Sequence, residues 1–281
     1  MTAGITGTPP LNDRIAVLSD ELNLSIKWDR PCILLAVYQS EYVRKHVQSV
    51  LRQSLHNQEN TTLNYQVDKV HFDVALDLRD YPGREHTIFF ISGLRWGGGK
   101  GRSNAYHALN MHREYLVEEK IRSIFWLTKF EARILPRHAP DFWAFRYHVI
   151  EFFDYPSSLS MHSIDPQRAN YQESIDGILG KLNTNPHDLD LHGRLARLYQ
   201  EIGCYEDALV QYYKILRISP NNKNTWLEIA ELFAKMKRPD RTNQILKKVA
   251  SQERNDKMII DGVERFKSLT DSINRNPIMM P

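Results

Sequence analysis

The run Gly97-Gly98-Gly99-Lys100-Gly101, set between Arg95-Trp96 and Arg102, is the stretch whose residue types come nearest to chemistry. Consecutive glycines free backbone N–H groups to wrap a phosphate, a lysine reaches the outer phosphates, and a following Ser or Thr holds magnesium. The spacing does not complete that motif: Leu94 stands where its first glycine belongs and Gly101 where its hydroxyl belongs. A surface loop between a strand and a helix is the plainer reading. Three cations beside one aromatic (Arg95, Trp96, Lys100, Arg102) also suit gripping a phosphate backbone and stacking a base, or anchoring a partner protein through Trp96. Other constellations are weaker. His107 and His112 are five apart and diverge on one helix, so they do not form a metal pair. His71 and Asp73 read as polar residues on one strand face, and Phe142, Trp143, Phe145 and Tyr147 as core packing. No G-x-S-x-G, H-E-x-x-H or paired Cys/His spacing occurs. No metal and no cofactor is expected.

The composition is that of an ordinary globular protein, and a net charge of +3 demands no polyanionic partner. Cys32 and Cys204, far apart in sequence, fit a reducing compartment better than a disulfide. The segment MTAGITGTPPLNDR lacks the basic-then-apolar order of a secretory leader, and about 18 uninterrupted apolar residues occur nowhere. A cytoplasmic protein without membrane contact is expected.

The elements that position these residues fall into two textures. From Cys32 to Phe152 short apolar runs alternate with amphipathic segments, which predicts a three-layer α/β domain with a mainly parallel sheet. Strands are expected at about 32–38, 67–72, 87–92, 123–127 and 148–152, with helices at about 40–55, 104–119 and 131–145. The polar stretches 55–65, 77–85 and 95–102 read as loops. Leu11, Ile15, Leu18 and Leu22 form a helical stripe ahead of the first strand. Beyond Phe153, Leu195-Ala196…Tyr199…Gly203…Ala208…Tyr212…Pro220 matches Ile229-Ala230…Phe233…Lys237…Thr242…Leu246…Arg254 at an offset of 34. That period is the tetratricopeptide (TPR) repeat of paired antiparallel helices. Tyr171 to Leu182 resembles the second helix of a further unit whose first helix is absent or divergent, and Met258 to Ile273 reads as a capping helix.

The α/β half resembles the nucleotide-binding core of STAND signalling ATPases. Ile33 to Tyr38 stands at its first strand, Ile88-Phe89-Phe90-Ile91-Ser92-Gly93-Leu94 at its second signature strand, Ile124-Phe125-Trp126-Leu127-Thr128 at its sensor strand, and Val149-Ile150-Glu151-Phe152 at its closing strand. The runs Ala105 to Tyr115 and Ala139 to Phe145 share that likeness. Yet the first strand runs into Gln39-Ser40-Glu41-Tyr42 without glycine or lysine, and Ser92 replaces the magnesium-binding acid. The resemblance therefore implies an inactive domain, kept as a scaffold, with no catalytic residue.

The division expected is a tail and amphipathic helix (1–28), the inactive STAND-like domain (29–155), a linker (156–168), a TPR-like array with its capping helix (169–275) and a tail (276–281). Groove-facing residues on the first helices would be Arg197, Gln200, Glu201, Glu231 and Lys235; Gly193 and Leu227 stand where a carboxylate clamp would need polar residues. A non-catalytic adaptor that binds proteins is expected, and the resemblance implies bacterial signalling or antiviral settings. The alternatives left open are a nucleotide-binding switch and a nucleic-acid-binding subunit using the 95–102 loop. Clustering of Arg84, Arg95, Lys100, Arg102 and Arg122 on one face would favour those alternatives, and dispersal the adaptor.

Overall fold

A computed structural model describes residues 9–56, 60–99, 104–154 and 171–252. The chain divides into two compact units, Met1–Leu159 and Ser160–Pro281. The expected linker, the capping helix over 258–273 and the final tail lie outside the described residues, as do Lys100 and Arg102.

In the first unit α1 (Leu11–Lys27) leads into β1 (Cys32–Tyr38), followed by α2 (Glu41–His56), β2 (Thr61–Gln66), α3 (Val74–Arg79), β3 (Thr87–Ser92), α4 (Ala105–Glu118), β4 (Arg122–Thr128), α5 (Lys129–His138), α6 (Pro140–Ala144) and β5 (His148–Phe152). The strands form one parallel sheet in the order β2-β3-β4-β1-β5. All seven residues of β1 and of β4 are buried, which is why these segments read as unbroken apolar runs. Side chains alternate between the two faces. Ile33, Leu35, Phe89, Ile91, Phe125 and Leu127 pack with Leu109, Leu116, Leu135 and Phe142 of α4 to α6. The intervening residues turn to the layer of α1 and α2, where Arg14 lies over Phe152 and Arg52 over Phe90.

Three expectations are corrected. The strand placed at 67–72 lies at Thr61–Gln66 instead, inside what read as a loop, because an edge strand keeps a polar, mostly exposed pattern. After Val67 the Asp68 carboxylate accepts from the N–H groups of Val70 (2.8 Å) and His71 (2.7 Å) and turns the chain. The stretch expected as a loop from Asp77 opens inside α3, which Asp73 caps by accepting from Leu76 N (3.3 Å), so Asp73 is no strand residue. The single helix expected at 131–145 is two, because Ala139 precedes Pro140 and is driven out of the helical region, to φ −141° and ψ 62°.

The second unit contains α7 (Tyr171–Thr184), α8 (Leu189–Glu201), α9 (Tyr205–Ile218), α10 (Lys223–Lys235) and α11 (Pro239–Gln252). The 34-residue register holds to the residue: α8 and α10 share it at both ends, and so do α7, α9 and α11. Asp188 and Asn222, one period apart, cap α8 and α10 by accepting from the backbone N–H three residues on, each at 3.0 Å. His192 Nε2 meets Pro186 O at 3.0 Å and Trp226 Nε1 donates to Pro220 O at 2.9 Å, the same contact made twice. Gly203 and Lys237 both take the left-handed conformation that turns one helix back on the next. Small residues close the seams, with Ala196, Ala208 and Ala230 fully buried. The unit is a TPR-like helical repeat.

Candidate functional site

In an open parallel sheet, ligands settle beyond the carboxyl ends of the strands, where neighbouring strands send their helices to opposite faces. Here β1 leads to α2 on one face while its neighbour β4 leads to α5 on the other. Only Gln39 and Ser40 join β1 to α2, too short a connection to encircle a phosphate. The first turn of α2 already holds its own carboxylate, Glu41. Glu41 accepts from the Tyr38 hydroxyl (2.7 Å) and from Nε and Nη2 of Arg44 (2.9 and 2.6 Å). Burial, and then Glu41, push the Tyr38 hydroxyl well above its ordinary range. Burial opposes the Arg44 charge, but Glu41 overrides it and the guanidinium stays charged.

Across the crevice Thr128 and Glu131 form a capping box at the start of α5, where Glu131 accepts from Thr128 N (2.8 Å) and Thr128 Oγ1 (2.9 Å). Its second oxygen accepts from Arg95 N at 3.0 Å. Lys129 Nζ donates to Gln39 Oε1 at 2.7 Å, tying the two turns together. The place of a bound anion is thus filled by the protein's own carboxylates, each with partners.

The glycine run has packing reasons of its own. A Cβ on Gly97 would lie 2.5 Å from Val67 Cγ1 and 2.6 Å from Ala105 Cβ, and Gly98 has φ of 77°. The feet of the loop are pinned by a Gly98–Asn104 bridge and by Ala105 N donating to Gly97 O (3.1 Å). Of the candidate contacts there, Arg95 lies over the Trp96 ring (4.3 Å) and near Phe130 (5.4 Å), and Trp96 is half-buried. Arg84 pairs with Glu119, and Arg122 with Asp29 and the Glu85 carbonyl, at the amino ends of β3 and β4. Arg95 follows the carboxyl end of β3. Of the three described arginines, Arg84 and Arg122 thus lie together at the amino ends of neighbouring strands, each paired with a carboxylate, and Arg95 lies at the carboxyl end of β3. Among the described residues no group of His, Cys, Asp and Glu could hold a metal ion. His112 instead meets Asp73 at 2.7 Å.

In the helical unit a groove of about 590 Å³ runs between α7 and α8. Glu173, Ser174, Gly177, Ile178 and Lys181 line it from α7. Arg194, Arg197, Leu198 and Glu201 line it from α8. Two expected residues, Arg197 and Glu201, are among them. Gln200 is buried and accepts from the Tyr212 hydroxyl (3.3 Å), which also reaches Glu228 (3.2 Å). Burial first, and then Glu228, raise the Tyr212 hydroxyl above its ordinary range. Glu231 and Lys235 pair with each other along α10 (3.1 Å) and do not line the groove. Reading only the first helix of each unit missed the α7 residues, though their register positions were open to inspection.

No family model matches the chain, and no curated protein does. Among solved structures the chain is similar to a tetratricopeptide repeat protein from Parabacteroides merdae, 17% identical over 38% of this chain and 44% of that one, TM-score 0.32. The Yersinia enterocolitica type III secretion chaperone SycD, in complex with a peptide of the translocator YopD, is 15% identical over 42% and 88%, TM-score 0.33. The Sgt2 TPR domain from Aspergillus fumigatus is 19% identical over 41% and 79%, TM-score 0.33. The match spans less than half the length of the Parabacteroides protein. Likeness at this level decides nothing about this chain, whose repeat rests on its own 34-residue register.

Proposed function

We propose that this protein is a cytoplasmic, non-catalytic adaptor that acts by binding protein, with an inactive STAND-like α/β unit serving as its scaffold. The observation that carries the reading is the closed carboxyl edge of the sheet. A two-residue turn replaces a phosphate loop there, and Tyr38, Glu41 and Arg44 satisfy one another where a ligand would sit. Support for the STAND-like part is that the strands bearing the resemblance lie side by side as β3-β4-β1-β5. Support for protein binding is the groove along α7 and α8 in a repeat whose chemistry is that of a contact surface. The pairing of Arg84 with Glu119 and of Arg122 with Asp29, at the strand ends opposite Arg95, supports this adaptor over a phosphate-gripping switch or a nucleic-acid-binding subunit. In the described residues no helix is long and apolar enough to cross a membrane. A bacterial signalling or antiviral setting belongs to the same proposal and rests on the resemblance.

Calorimetric titration of the full chain with ATP and magnesium, followed by an assay for phosphate release, tests the scaffold claim. Neither heat of binding nor turnover is expected. Saturable binding would overturn the claim that the edge is closed.

A further inference from the structure

Each helical hairpin of the repeat shows how the face of a second helix is covered. On α9, Ala208, Gln211, Tyr212 and Ile215 are all buried, and α8 lies on them: His192 Nδ1 meets Gln211 Oε1 at 2.9 Å and Gly193 faces Ile215. On α11 the equivalent Thr242, Ile245, Leu246 and Val249 are buried under α10, with the Thr242 hydroxyl donating to Ala230 O. The same four positions on α7, one period earlier, are Ser174, Gly177, Ile178 and Lys181. Only Ile178 of these is buried; the others are exposed and border the groove.

The sequence one period ahead of α8 departs from the pattern of a first helix. One period ahead of Ala196 and Tyr199 stand His162 and Asp165, and Pro166 follows, where the seam needs a small residue, an aromatic one and a continuous helix.

From this register we infer that the groove is a seat for one amphipathic helix of a partner protein, which completes the first repeat from outside. The inference deepens the proposed adaptor function and rests on it. The charges set the direction and pattern of the guest. Four residues join α7 to α8, so the two helices run antiparallel and Lys181 and Arg194 share one end of the groove while Glu173 and Glu201 share the other. A first helix of the repeat runs antiparallel to α7, and would therefore start at the basic end and finish at the acidic end. A guest with acidic residues in its first turn and basic residues in its last satisfies both ends, and that distribution also suits its own dipole. A small residue at its middle meets Ser174 and Gly177, where a Cβ on Gly177 touches nothing within 4 Å, and apolar flanks cover Ile178 and Leu198.

The probe is a fluorescein-labelled peptide joining Leu189–Ala196 of α8 to Glu231–Lys235 of α10, which carries Asp190 in its first turn, Ala196 inside and Lys235 at its end. Anisotropy with the full-length protein is expected to show saturable binding. Ser174→Arg should weaken it at least tenfold with the circular dichroism unchanged, since Ser174 is exposed here while its equivalents Ala208 and Thr242 are fully buried beneath a first helix. Lys181→Glu should weaken it too, and should favour a peptide whose first-turn aspartate is replaced by lysine. Absence of binding by the wild type, or equal binding by Ser174→Arg, overturns the seat. Capture from cells separates the two claims. A partner held equally by wild type and Ser174→Arg sinks the seat and leaves the adaptor standing, whereas no protein held by either sinks the adaptor.

Discussion

Removing the carboxylate of Glu131 is expected to unfold the α/β unit at a distinctly lower denaturant concentration. Glu131 is 1% exposed and joins the end of β4, the start of α5 and the turn after β3. It accepts from Thr128 N, Thr128 Oγ1 and Arg95 N at 2.8 to 3.0 Å, and its own N–H donates to Thr128 Oγ1 (3.3 Å). Hydrogen bonds to a charged group contribute about 1.5–3 kcal/mol each, but these share one acceptor group and do not add. Losing the capping box costs about 1 kcal/mol, and leaving buried donors unmet costs more, so Glu131→Ala should lose about 3–5 kcal/mol. Glu131→Gln keeps one oxygen for Thr128 and turns an NH2 toward Arg95 N, so about half that loss is expected. Urea unfolding followed through Trp126, buried in the same unit, reads the change as a shift of midpoint at constant slope. A loss below about 1 kcal/mol for Glu131→Ala, or the same loss for both variants, would refute the account of this junction.

Burial raises the Cys32 thiol to about 12 from 9.0. The protonated thiol is thus favoured in the folded state, its contribution is complete below pH 9, and it is lost as pH rises toward 12. Cys32→Ala should flatten that alkaline limb, and in the native protein Cys32 should resist iodoacetamide at pH 8 until denaturant is added. Gly97→Ala should cost about 1–3 kcal/mol because its Cβ overlaps Val67 and Ala105, whereas Gly99→Ala, with nothing within 4 Å, should stay within about 0.5 kcal/mol. Thermal unfolding of the two variants decides that point. Asp188→Ala and Asn222→Ala should each cost the helical unit about 1 kcal/mol, read by circular dichroism, and leave the Trp126 transition in place.

The helical unit was legible because its constraints recur. Pro186 and Pro220, Gly203 and Lys237, and Asp188 and Asn222 mark the same turns one period apart, so the sequence itself contains the alignment. The central strands were legible for a different reason: burial on both faces of β1 and β4 leaves no room for polar residues. The edge strand β2 was not, since Thr-Thr-Leu-Asn-Tyr-Gln keeps most of its side chains in water and looks like a loop. Asp73 could be a cap only once α3 was seen to start behind it. The closure of the sheet edge was half visible. The lack of glycine and lysine after the first strand argues against a phosphate loop there, but the pairing of Glu41 with both Tyr38 and Arg44 depends on where α2 begins. Gln200 looked like a groove residue by its helical position, yet it is consumed by Tyr212, a partner twelve residues away on the next helix.

Native mass spectrometry of the full chain captured from its own cells tests the central claim most directly. It weighs bound proteins, nucleotides and nucleic acid in one measurement. A stoichiometric protein partner without nucleotide mass is the expected result. A retained nucleotide or oligonucleotide would contradict the account of a closed sheet edge and a protein-binding repeat.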